Sequence, residues 1–238
     1  APYRVGYPIA DTFGGITAAF AIASALADLD RTQGYFIDIS MLEATLATMG
    51  WAVSNYLVSG RDPAPMGNDN VTSSPSGTFR TGHGLLNIAA NKQEQYEAVC
   101  RVIEREDLIA DPRFAERQAR LENRLELKQL IESELETRGA DEWWRLFNAA
   151  GVPAGPVYNV PQALAHPQVS ERGMIAKFPN APGVGRDIHV VRTGIKINGE
   201  APRVDTPPPL LGEHSEQILA GLGYDHDAIA QLRQEKAI

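Results

Sequence analysis

The sequence predicts a mixed α/β protein followed by a smaller α+β block, and three observations carry that prediction. A helix–strand–helix rhythm runs from residue 12 to residue 58. A stretch crowded with Gly, Pro, Asn, Asp and Ser interrupts it at 59–77, and a hairpin with charged amphipathic helices comes next. The chain of 238 residues is long enough for roughly one to two domains with a core that needs no staples.

Residues 1–10, "APYRVGYPIA", read as an extended lead-in punctuated by Pro2 and Pro8. Residues 12–27 read as a buried helix, because apolar side chains cover nearly its whole circumference. Asp11 stands at its mouth, where a carboxylate accepts hydrogen bonds from unpaired amides and suits the helix dipole. Gly14 and Gly15 follow, each costing about 1 kcal/mol relative to Ala inside a helix. Such positions allow close approach of another backbone or a ligand. "GYFIDISM" (34–41) is rich in β-formers behind a glycine and predicts a strand. "LEATLATMGWAVSNYLV" (42–58) predicts one long helix.

The loop at 59–77 contains "MGNDN" (66–70), whose small residues suit a turn or a lid over a site. "GTFRT", a turn at "GHG" and "LLNIAA" predict a hairpin. "NKQEQYEAVCRVIER" has one apolar face, and 113–138 place Leu121, Leu125, Ile131 and Leu135 at helical intervals. "ADEWWRLFNAA" is a further helix, stopped by Gly151 and Pro153. Beyond it, "RDIHVVR" and "GIKING" read as strands, "TPPPLLGEH" as an extended polyproline-like strap, and "SEQILAGLG" and "DHDAIAQLRQE" as closing helices.

Composition narrows the function. The 30 acidic against 22 basic residues give a formal charge of −8, and no basic run offers a nucleic-acid surface. The apolar run Ile16 to Ala27 is short and alanine-rich, and no membrane span or signal peptide is expected. The single Cys100 excludes an internal disulfide, fits a reducing compartment and sits at helical spacing among apolar residues, as a buried structural thiol does. His83, His166, His189, His214 and His226 are scattered, so no metal site is expected, and no phosphate loop, HExxH or CxxC occurs.

Taken in order, "IADTFGG", "YFIDISMLEATLA", "GNDNVTSSPSGTFRTGHGLLNIAANKQEQYEAVC", "DPRFAERQARLENR", "AAGVPAGPVYNVPQALAHPQVSERGM" and "TPPPLLGEHSEQIL" resemble the later part of the family III CoA-transferases. That family includes formyl-CoA transferase, carnitine CoA-transferase and α-methylacyl-CoA racemase. The resemblance implies part of a Rossmann-like large domain plus a small α+β domain, lacking the amino-terminal half that builds most of the CoA pocket. On that basis residues 1–45 are assigned to the large domain, 46–66 to a linker and 67–165 to the small domain. Residues 166–200 form a return segment, and 201–238 a strap and helices that pack on the large domain.

The implied activity is acyl-CoA:carboxylate CoA transfer through a covalent aspartyl-CoA intermediate, with Asp11 as the nucleophile. Coenzyme A is implied as substrate, an acyl-CoA and a carboxylic acid as partners, a homodimer as assembly and the cytoplasm as location, with no permanently bound cofactor. Gly67 and Asn68 match the place where some transferases carry a glycine loop closing over the intermediates. Here the loop reads "MGNDN" in place of a glycine run. One alternative is a 2-methylacyl-CoA racemase, opposed by Lys92 where that branch carries an acid, with Glu94 out of register. The other is a catalytically inactive fragment lacking the CoA-binding half.

Overall fold

The computed structural model describes residues 5–30 and 32–238, and its chain divides into two compact units, Ala1–Val157 and Tyr158–Ile238. The start of the expected lead-in, Pro2 included, lies outside the described residues.

The first unit opens with α1 (Ile9–Ala27), which packs on α2 (Met41–Thr48). Their contact explains one of the two costly glycines. A Cβ on Gly14 would sit 3.2 Å from Met41 Cγ, whereas one on Gly15 would meet nothing within 4 Å. The buried helix expected at 12–27 is a correction. Only Gly14 is buried in α1, and Phe20 is 74% exposed. A helix apolar all round needs cover on every side, and α2 supplies one. By length and composition alone α1 could also cross a bilayer, a test that the core helix of a globular domain passes equally.

The strand expected at 34–41 carries no ladder. Residues 34–40 form no regular element, Met41 already begins α2, no described residue pairs with the segment, and Phe36 is 97% exposed. Strand composition cannot supply the neighbour whose N–H and C=O groups make a sheet. The long helix expected at 42–58 is two: Ser40 Oγ accepts from Glu43 N–H to start α2, and Gly50, at φ +49°, separates it from α3 (Trp51–Ser59). Gly60 in the left-handed region ends α3.

The remainder of this unit holds the main core. β1 (Ser76–Arg80) and β2 (Leu85–Ala89) form the predicted hairpin, with Thr78 opposite Asn87. α4 (Gln93–Val102), α5 (Asp107–Ala110), α6 (Arg117–Glu122), α7 (Arg124–Leu135) and α8 (Ala140–Ala149) follow, and β3 (Ala154–Pro156) returns antiparallel to β2, giving the order β1-β2-β3. Leu86 and Ile88 from the sheet meet Tyr96, Val99, Leu127, Ile131, Leu135 and Phe147 from the helices, all buried. Each contributes about 1.5–3 kcal/mol of apolar burial. The buried ridge of α7 is Leu127–Ile131–Leu135, and Leu125 points outward, because it lies two residues before Leu127 on the same helix and so on the opposite face. Glu132 ties α7 to β1 by accepting from the backbone N–H and the guanidinium of Arg80.

The second unit contains α9 (Val160–Ala165), α10 (Pro167–Glu171), the antiparallel pair β4 (Ile175–Phe178) and β5 (Ile188–Val191), and the closing helices α11 (Ser215–Gly221) and α12 (His226–Gln234). "RDIHVVR" is therefore a strand as predicted, but its partner is "IAKF". "GIKING" makes only an isolated bridge between Ile197 and Glu200, since no longer strand lies alongside it among the described residues.

Candidate active site

Asp11 occupies the first turn of α1, three residues beyond the N-cap Pro8. Proline has no side-chain acceptor, so the turn is closed by Thr12, whose Oγ1 donates to Pro8 C=O at 2.9 Å. The cap expected of Asp11 is thus not the role it plays: the helix begins before it, and its carboxylate makes no hydrogen bond among the described residues. The side chain is exposed and open to an incoming ligand. Gly15 lies four residues on, on the same face of the helix, and the space over it is empty. A carboxylate in a first helical turn, with an uncrowded glycine beside it, leaves a reacting carbonyl room to approach. The helix N-terminus in turn favours the negative charge a nucleophilic carboxylate carries.

Gly67 and Asn68 form the centre of a turn closed by Asp69 N–H donating to Met66 C=O at 3.2 Å. Gly67 is at φ +62°, a conformation side chains rarely adopt. The N–H groups of both residues have no acceptor among the described residues, so they are available to a developing oxyanion. No hydrogen bond or ion pair joins this turn to Asp11 among the described residues. The turn is anchored to β1: Thr78 N–H donates to Asn68 C=O at 3.1 Å and Asn70 N–H to Ser76 C=O at 2.9 Å. A Cβ on Gly77 would lie 2.6 Å from Asn68 C=O, so only glycine fits beneath it.

A row of cations holds the same segment from the other side, and sequence reasoning missed it. Arg117 donates to Thr72 C=O at 2.7 Å, Arg120 to Ser74 C=O at 3.1 Å, and Arg124 to Asn70 C=O at 2.9 Å. Lys128 Nζ lies 2.6 Å from Asp69 Oδ1. These four residues follow one another at intervals of three or four, a helical spacing that was visible in the sequence. What the spacing could not show is that the row faces a loop about fifty residues upstream.

The remaining candidates are structural. His83 contributes its carbonyl, which accepts from Ala140 N–H at 3.0 Å. Lys92 is the exposed N-cap residue of α4, its N–H donating to Gln95 Oε1 at 3.1 Å, and Glu94 is exposed. Cys100 is buried beside Tyr96, and burial pushes its thiol up to about 11. His166 caps α10 by accepting from Gln168 N–H. Among the described residues no group of three or more His, Cys, Asp or Glu could hold a metal ion.

A family model described as CoA-transferase family III matches residues 1–215. The chain belongs to CoA-transferase family III. Similar family III proteins include the human succinyl-CoA:glutarate CoA-transferase, 30% identical over 97% of this chain, and the Agrobacterium fabrum succinate–glutarate CoA-transferase, 32% identical over 93%. Among solved structures, a CAIB/BAIF family protein from Brucella suis superposes with a TM-score of 0.77 over 93% of this chain and is 32% identical. The chain spans about half the length of these curated relatives, 53% and 55%, and 57% of the Brucella suis chain. The expectation of a mixed α/β fold shared with family III proteins thus holds.

Proposed function

We propose that this chain carries the catalytic half of an acyl-CoA:carboxylate CoA-transferase, with Asp11 as covalent carrier. The observation that supports the reading most is the exposed Asp11 carboxylate, free of any capping duty, beside the open Gly15 in a family III chain. A carboxylate oxygen of Asp11 attacks the thioester carbonyl of the donor, the C–S bond breaks, and CoA leaves as thiolate. The thiolate then attacks the Asp11 acyl carbon of the mixed anhydride, releasing the donor acid and leaving an aspartyl-CoA thioester. The acceptor carboxylate opens that thioester to a second anhydride, and the thiolate attacks the acceptor's acyl carbon, regenerating Asp11. No electron is gained or lost, and every leaving group is either thiolate or carboxylate. The oxyanions formed on the way call for N–H donors without other duties, which Gly67 and Asn68 possess.

The relatives' names point to dicarboxylic acids of four or five carbons as substrates. In the whole enzyme, residues 1–45 belong to the large domain and 67–165 to the small one. The assembly is a cytoplasmic homodimer, and coenzyme A visits only as substrate. The test is turnover with succinyl-CoA and glutarate, quenched with hydroxylamine and followed by peptide mass analysis. A hydroxamate on Asp11, absent from Asp11→Ala, is the expected result. An adduct at another residue, or transfer surviving in Asp11→Ala, refutes the assignment. A chain that neither binds CoA in titration nor forms any adduct is the inactive half of the enzyme.

A further inference from the structure

The segment that resembles a closing loop is built as a fixed wall, and we propose that Lys128 is the positioning residue that holds its Gly67–Asn68 turn in place. The inference deepens the proposed function and rests on it for the meaning of the turn, but its physical basis is independent. Asp69 is the last residue of the turn and the residue next to the two free N–H groups. Its carboxylate is held by Lys128, and both side chains are about three-quarters buried. Lys128 is itself fixed, with Nζ 5.4 Å from the centre of the Phe79 ring, a core residue of β1. Arg124 takes the next two carbonyls, of Asn70 at 2.9 Å and Val71 at 3.3 Å. Between this segment and α7 lies a small cavity, lined by Asp69, Ser73, Ser76, Phe79, Arg124 and Lys128 and with room for about one water.

A loop pinned residue after residue from 69 to 74 does not swing. The turn preceding it inherits that rigidity through Asn68, whose C=O accepts from Thr78 N–H of β1, and through Asp69, which lies opposite Gly77 of β1. Donors that are already in place cost no reorganisation when charge develops on the substrate. Lys128 touches no reacting atom and acts through Asp69 alone.

The experiment has two readouts on the full chain, with Lys128→Met, Asp69→Asn and the conservative Lys128→Arg. Hydrogen exchange by mass spectrometry should show the hydrogen-bonded amides of Asp69, Asn70 and Thr72 exchanging about tenfold faster in Lys128→Met and Asp69→Asn, with α4 unchanged and Lys128→Arg close to wild type. The second readout is the fate of the Asp11 adduct formed with succinyl-CoA. Its loss to water relative to transfer to glutarate should rise several-fold in Lys128→Met and return to the wild-type ratio in Lys128→Arg. Unaltered exchange in both weakened variants overturns the clamp. Faster exchange with an unchanged partition ratio overturns the positioning role. A wild-type chain that forms no Asp11 adduct overturns the proposed function, and exchange alone then decides the clamp.

Discussion

Arg120→Met should cost this chain more stability than any other single replacement of a basic residue in the row. Arg120 is only 3% exposed, and its guanidinium spends itself on four acceptors: Phe114 C=O at 2.8 Å, Ala115 C=O at 2.9 Å, Gln93 Oε1 at 2.9 Å and Ser74 C=O at 3.1 Å. It also lies over the Tyr96 ring at 4.2 Å. Burial pulls its pKa below the usual guanidinium value, so the desolvation cost is already being met by these bonds. Methionine keeps much of the apolar stem but donates nothing. Two of the orphaned carbonyls, Ser74 and Phe114, are in fully buried bonds, and each stranded acceptor costs about 1–3 kcal/mol. Removing the desolvated charge returns part of that sum, which leaves a net loss of about 3 kcal/mol. Urea unfolding followed by Trp143 and Trp144 fluorescence measures it, with the slope unchanged and the midpoint lowered. Arg120→Lys, able to reach only some acceptors, should fall between. A loss below about 1 kcal/mol in Arg120→Met would show that the row is surface decoration and refute the reasoning.

Gly82→Ala should destabilise the same unit by about 1–3 kcal/mol, because the new Cβ would stand 2.3 Å from Glu136 C=O and backbone must move. Thermal melts compared with Gly15→Ala, where nothing lies within 4 Å, check the geometry. Cys100 should react with Ellman's reagent only on unfolding, since it is buried and its thiolate is scarce below about pH 11. The same raised pKa predicts a pH effect. The folded state holds the thiol proton more tightly than the unfolded chain, so that share of stability is complete below about pH 9. It declines as pH rises toward about 11. In urea titrations at pH 8 and pH 10.5, Cys100→Ala should show a smaller alkaline loss than wild type.

Legibility differed from element to element for physical reasons. The hairpin and α4 were plain because alternation at Leu86 and Ile88, and helical spacing at Tyr96, Val99 and Cys100, each describe a single buried face. β3 was invisible, since Ala-Gly-Pro has no strand preference and becomes a strand only through its pairing with β2. Residues 34–41 failed in the opposite direction, with strong strand composition and no partner among the described residues. Asp11 could be named from its place before two glycines and from family likeness. That the helix begins at Ile9 and leaves the carboxylate without a capping bond could not be read from residue spacing.

The sequence by itself determined the order of segments, the acid at the mouth of α1, the glycine positions and the membership of the family, because each depends on residues close together along the chain. Tertiary structure alone decided which glycine packs and which stays open, and it turned a helical row of Arg117, Arg120, Arg124 and Lys128 into an anchor for the loop at 69–74. A hydrogen bond between groups about fifty residues apart is set by how helices and strands pack, and no local pattern encodes that distance.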